Sequence, residues 1–95
     1  MLFVMNGLKY DTDKMELISN KCKWVHKGLW FWGQYEFAYE VDANLYKSIH
    51  NRWLITYEYS ASTYAIAINE EEASNLLKDY DLKKYEQLFG ELEEA

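Results

Sequence analysis

Apolar and polar positions alternate along most of the first 68 residues, and then the period changes. From Lys21 to Leu45 the even positions Cys22, Trp24, Gly28, Trp30 and Trp32 and the odd positions Tyr35, Phe37, Tyr39, Ala43 and Leu45 carry most of the aromatic side chains, and the other members of the set are small or apolar. Side chains of period 2 point to alternate faces of a strand, so this stretch reads as two strands. A two-residue turn at Gly33-Gln34, with Gly first, would join them. In that register Trp32 faces Tyr35, Trp30 faces Phe37, Gly28 faces Tyr39, Trp24 faces Ala43 and Cys22 faces Leu45. The other face pairs Phe31 with Glu36, Leu29 with Ala38, Lys27 with Glu40 and Val25 with Asp42. One face is aromatic, and the other is mixed polar with an opposite-charge pair.

Other hairpins flank this one. Asn6-Gly7 is a type I′ turn signal between Leu2–Met5 and Leu8–Tyr10. The stretch Asp11–Lys14 reads as a turn into Met15–Ser19, a strand or a short helix capped by Asp11 or Thr12. Two further strands surround a turn at Ile49–Asn51, where Asn51 tolerates left-handed backbone. Trp53, Ile55, Tyr57 and Tyr59 then share a face. Residues 60–63 read as a loop before a last strand from Tyr64 to Ile68, whose Ala65 and Ala67 would let a helix approach.

From Asn69 the period becomes 3.6. Asn69 with Glu72 forms a capping-box pattern, and Glu70, Glu71 and Glu72 sit where a helix dipole favours anions. A helix over 70–79 would bury Ala73, Leu76, Leu77 and Tyr80. Asp81 can cap a second helix that uses Leu82, Tyr85, Leu88, Phe89 and Leu92, with Gly90 weakening its end. The chain is therefore expected to be one α+β domain over 1–95: an antiparallel β-sheet meander of about five to seven strands over 1–68, then two C-terminal helices in an acidic segment over 69–95.

Composition supports a packed core, since 49% of the 95 residues are hydrophobic and 18% aromatic. No apolar run approaches the ~20 residues of a membrane span. The N-terminus lacks a signal-peptide pattern, and a lone cysteine makes no internal disulfide, so a cytoplasmic location in a host cell is expected.

Charge changes the picture more. The net charge is −6, and residues 1–68 are balanced, so the imbalance lies in 69–95, where nine acids face Lys78, Lys83 and Lys84. Duplex nucleic acid is a poor partner for such a chain. An acidic segment can meet a basic protein surface, including one that normally holds nucleic acid. Alternatively it is a solvated face that keeps the protein soluble.

Candidate chemistry is sparse. Cys22 and His26 share a face roughly 13 Å apart along a strand, too far for one metal ion. Glu36, Glu40 and Asp42 share a strand face, which an outward solvated surface explains. No phosphate-cradling loop or nucleophile system is present. We therefore expect no catalytic residues, no cofactor and no metal. Partner-binding candidates are Trp30 and Trp32 beside the hairpin turn, where a protruding tip would expose them as anchors, and the acids Glu70, Glu71, Glu72, Asp79, Glu86 and Glu91. A second reading uses the aromatic face to stack single-stranded nucleic acid, although Lys21, Lys23 and Lys27 point away from it. A structural role, or dimerisation through an edge strand, is a third.

The stretches at 7–18 (GLKYDTDKMELI), 44–57 (NLYKSIHNRWLITY) and 65–77 (AIAINEEEASNLL) together resemble a group of small proteins of Firmicutes phages and mobile elements. Members open with Gly-Lys-x-Tyr-Asp-Thr, continue through a Leu-Tyr-led hairpin and end in a Glu-rich helix start. This chain departs from them at Met15 and at Asn51. The resemblance implies a phage or prophage context, in which small acidic inhibitors of host defence occur, anti-CRISPR proteins among them. It carries no site residues over, and the host complex it suggests as partner is a basic one such as a Cas effector.

Overall fold

In the computed structural model the backbone is described for residues 1–30 and 35–95, and the side chains of these except 29, 30 and 35. The described strands are β1 (Leu2–Met5), β2 (Leu8–Asp11), β3 (Glu16–Trp30), β4 (Tyr35–Lys47), β5 (Trp53–Tyr59) and β6 (Ser62–Ile68). Helices α1 (Glu70–Tyr80) and α2 (Leu82–Phe89) follow. The α+β layout expected from the pattern is present, but the strands divide into two antiparallel sheets, a β1-β2 hairpin and a four-stranded sheet ordered β3-β4-β5-β6.

Local chemistry explains the turns. Asn6 and Gly7 both take positive φ, 52° and 75°, the type I′ turn that matches strand twist. Asn51 has φ 59° in a turn organised by Ser48, whose hydroxyl accepts from the amides of His50 and Arg52. Asp11 caps a single 3-10 turn over Thr12–Lys14 that ends at Met15, and β3 begins at Glu16, so of the two readings of Met15–Ser19 the strand prevails from Glu16 onward. The last hairpin turns at Ser60 and Ala61, with Tyr59 paired to Ser62, so Ser62 and Thr63 belong to a strand and not to the expected loop.

The long hairpin has a different register from the expected one. Trp24 pairs with Val41, Gly28 with Phe37 and Trp30 with Tyr35. Each partner lies two residues from its expected position, and a slip of two leaves every side chain on its original face. The cross-strand ion pair is consequently Lys23 with Asp42, at 2.7 Å, and not Lys27 with Glu40. The expected Gly33-Gln34 turn lies outside the described residues. Register shifts between Leu17 and Ser19 and between Ser19 and Cys22 break the ladder near the start of β3.

The core lies between the sheet and the helices. Ile18, Cys22, Ala43, Leu45, Trp53, Ile55 and Ile68 meet Ala73 and Leu77 of α1, with Tyr85 and Phe89 of α2 at the margin. Ala65 and Ala67 are on the opposite face, cross-strand from Thr56 and Leu54, so the helices pack over Ile66 and Ile68 instead. Short helices that touch the sheet along one stripe leave Tyr80, Leu82, Leu88 and Leu92 exposed, contrary to their expected burial.

Asp81 joins the layers. Its amide donates to Leu77 O and ends α1, and one carboxylate oxygen accepts from Lys84 N at the start of α2. Its other oxygen accepts from the Ser19 hydroxyl at 2.7 Å. Ser19 in turn accepts from Lys21 N, an amide left over by the register shift.

Candidate interaction surfaces

The helices cover only part of the sheet face. Further along it, β4 pairs with β5 only from Asn44 to Lys47, so the outer part of the β3-β4 hairpin projects beyond that ladder. The overall extents of 47 × 35 × 21 Å and a radius of gyration of 14.9 Å, above the ~13 Å of a 100-residue globule, reflect this projection.

Aromatic residues fill the uncovered part. His26 stacks on Tyr59 with ring centroids 4.1 Å apart, and Phe37, Tyr57 and Tyr64 surround it at 6.0, 5.7 and 5.0 Å. Tyr57 and Tyr64, cross-strand partners, stack at 5.3 Å, and Tyr39 extends the cluster through Phe37 and Tyr59. His26 is on β3 and Tyr64 on β6, the two outer strands of the sheet. Three strand spacings would separate them by roughly 14 Å in a flat sheet. The sheet is therefore curled, and the rings meet across its concave side. Gly28 permits the closest packing, because the Phe37 ring occupies the space that a Cβ there would need.

A hydrogen bond of 2.9 Å links His26 Nδ1 and the Tyr57 hydroxyl. Burial pushes the Tyr57 phenol up, and the neighbouring Tyr64 phenol adds to the effect, so its proton is retained through neutral pH. Tyr39 and Tyr64 are 45% and 38% exposed, so they form an accessible rim around a closed cluster. On β3 this face continues to Cys22, whose thiol burial pushes upward, with Asp81 adding to the shift and the Ser19 hydrogen bond opposing it. Cys22 is fully buried and His26 is bonded to Tyr57, and no group of three His, Cys, Asp or Glu among the described residues is placed to hold a metal ion.

The second surface is the helical layer. Glu70, Glu71, Asp79 and Glu91 are exposed, and among the described residues no acid of 69–95 forms an ion pair. Two of the predicted acids have structural duties. Glu72 accepts from Asn69 N while Asn69 accepts from Glu72 N, the expected capping box, and Glu86 accepts from Leu92 N. Comparison with protein-family models, characterised proteins and solved structures finds no significant match.

Trp32 lies outside the described residues, and Trp30 is described only by its backbone pairing with Tyr35. The aromatic surface adds Tyr39 and Tyr64 at its rim and His26 within the cluster, none of which was among the expected site residues. The signal was present in the alternation: His26 shares parity with Cys22 and Trp24, and Tyr64 with Ile66 and Ile68. Bringing the two sets together required the curl.

Proposed function

We propose that this is a non-enzymatic binding protein whose acidic helical layer docks on a basic protein surface, one that ordinarily handles nucleic acid. The observation that carries this reading is charge segregation without internal neutralisation: the net −6 resides in the helical segment, and its exposed acids have no cationic partners among the described residues. Unpaired acids on a folded scaffold raise the rate and selectivity of encounter with a positive groove. Together with the likeness to phage and mobile-element proteins, this favours an inhibitor of a host defence complex of the anti-CRISPR kind, acting in the host cytoplasm. Tyr39 and Tyr64, with the anchors Trp30 and Trp32 expected from the sequence, would supply apolar contact.

Stacking of single-stranded nucleic acid is the weaker reading. The rings pack on one another, and the outer part of their face, from His26 to Tyr64, bears no lysine or arginine to hold phosphates.

The test is a pull-down with tagged protein from low-GC bacterial lysate, with and without nuclease, read by mass spectrometry. The reading expects a basic nucleic-acid machine retained after nuclease and released by the Glu70→Lys/Glu71→Lys/Asp79→Lys variant, which spares the capping glutamate. Equal retention by the variant refutes the electrostatic docking. Partners that vanish with nuclease replace it with nucleic-acid binding.

A further inference from the structure

We propose that a cleft between the β1-β2 hairpin and the Ser48–Arg52 turn receives the acidic segment Glu91–Glu94 of a second copy of this chain, giving a two-fold dimer by reciprocal exchange. The proposal rests on a separate observation, the basic cleft, although Glu91 belongs to both sets of acids, and the docking variant of Glu70, Glu71 and Asp79 leaves Glu91–Glu94 untouched. The cleft, of about 660 Å³, lies between the β1-β2 hairpin and the Ser48–Arg52 turn. Its lining includes Lys9, Lys14 and Arg52, with His50 beside them and Asp11 as its acid. None of the three cations forms an ion pair among the described residues. A concentration of unpaired positive charge is notable in a protein of net charge −6.

The cleft also has an apolar side. Leu8 and Met15 line it, and the turn held by the Ser48 hydroxyl presents Ile49 at its lip, 87% exposed. The complementary segment is in the same chain. Beyond Gly90, the cap of α2, three glutamates flank Leu92, which is 46% exposed. Cationic rim meets carboxylates, and apolar lip meets leucine.

Geometry favours exchange over a chain of copies. Phe89 stacks on Trp53 at 6.3 Å, so the tail leaves α2 beside Trp53, and Arg52 of the cleft is the preceding residue. Donor and acceptor surfaces therefore sit at the same end of each copy. Two copies meeting end to end can satisfy both contacts at once, as a closed two-fold arrangement.

Sedimentation velocity of the full chain across a concentration series, at low and high salt, tests this. The expected result is a dimer at low salt that dissociates at high salt, because the contact is largely between charges. Lys9→Glu/Arg52→Glu and, separately, Glu91→Lys/Glu93→Lys/Glu94→Lys should each weaken dimerisation by roughly tenfold or more. A chain carrying both sets should dimerise again, with its charges interchanged. Far-UV circular dichroism and melting temperature establish that each variant is folded. A wild-type chain that stays monomeric at low salt overturns the proposal. So does a dimer indifferent to either set, or folded single-set variants whose combination fails to restore it.

Discussion

Replacing Asp81 by alanine removes two contacts, one that holds the helical layer to the sheet and one that caps α2. The bond from the Ser19 hydroxyl to one carboxylate oxygen is short, 2.7 Å, and half-buried, while the bond from Lys84 N to the other is long, 3.4 Å. A hydrogen bond to a charged group contributes about 1.5–3 kcal/mol. A cap of such length belongs at the low end of its range, about 0.5 kcal/mol. Asp81→Ala should therefore cost about 2–3.5 kcal/mol, which for a domain of this size lowers Tm by roughly 10–18 °C. Asp81→Asn keeps one oxygen and sets an amide NH2 where the other stood, so it retains one of the two acceptors, and its cost should fall below that of alanine, at about 1–2 kcal/mol. Ser19→Ala by itself also deprives Lys21 N of its acceptor, so the single variants overlap. A double-mutant cycle of Ser19→Ala with Asp81→Ala isolates the shared term, expected at about 1–2 kcal/mol by urea denaturation. Tryptophan emission should report the loss at Trp53, where Phe89 rests. Additivity of the two substitutions to within about 0.3 kcal/mol would refute the claim that this bond joins the layers.

Three other outcomes follow from the geometry. Asn69→Ala removes the side-chain half of the capping box, the acceptor for Glu72 N, and leaves the backbone N–H that donates to Glu72, so it should cost about 1 kcal/mol by thermal melting. Tyr57→Phe leaves His26 Nδ1 without its partner and should cost about 0.5–1.5 kcal/mol, with a changed near-UV aromatic signal. Cys22 should resist thiol reagents until the protein is denatured. Because burial raises its folded pKa, its stabilising contribution is full below pH 9.0, the ordinary thiol value, and is lost as pH rises through the folded value. The stability difference between wild type and Cys22→Ala, measured by denaturation at successive pH values, should therefore shift in favour of the variant above pH 9.0.

Features written in short stretches were legible before any coordinates. Asn6-Gly7, Asn51, the Asn69–Glu72 capping box and the Asp81 cap each depend on a few adjacent residues, and the structure has all of them. Register was not legible, for a definite reason. A slip of two residues between β3 and β4 preserves both faces, so alternation cannot distinguish Trp24 beside Ala43 from Trp24 beside Val41. The shifts around Ser19 depend on a carboxylate far along the chain, which no local pattern announces. The same holds for the aromatic surface: alternation assigns each ring to a face, but only the curl brings His26 to Tyr64. Helix periodicity marked Ala73 and Leu77 correctly, yet it also marked Tyr80, Leu82 and Leu88. Which part of an amphipathic stripe is covered depends on how far the opposing sheet extends.

The order of pairing has a kinetic consequence. Every ladder joins strands adjacent in sequence, so each hairpin can zip outward from its own turn with little loop to close. The helical layer differs, because the Ser19–Asp81 contact spans 62 residues and must close that loop before gaining anything from it. The sheet should assemble first and the helices dock last, and in the native protein the helices should be the unit that opens first. Amides of α1 and α2 should then exchange with solvent as a group, ahead of those in the β5-β6 ladder. The acidic layer would thus be the part of the molecule most readily repositioned to fit a partner, over a sheet that stays intact.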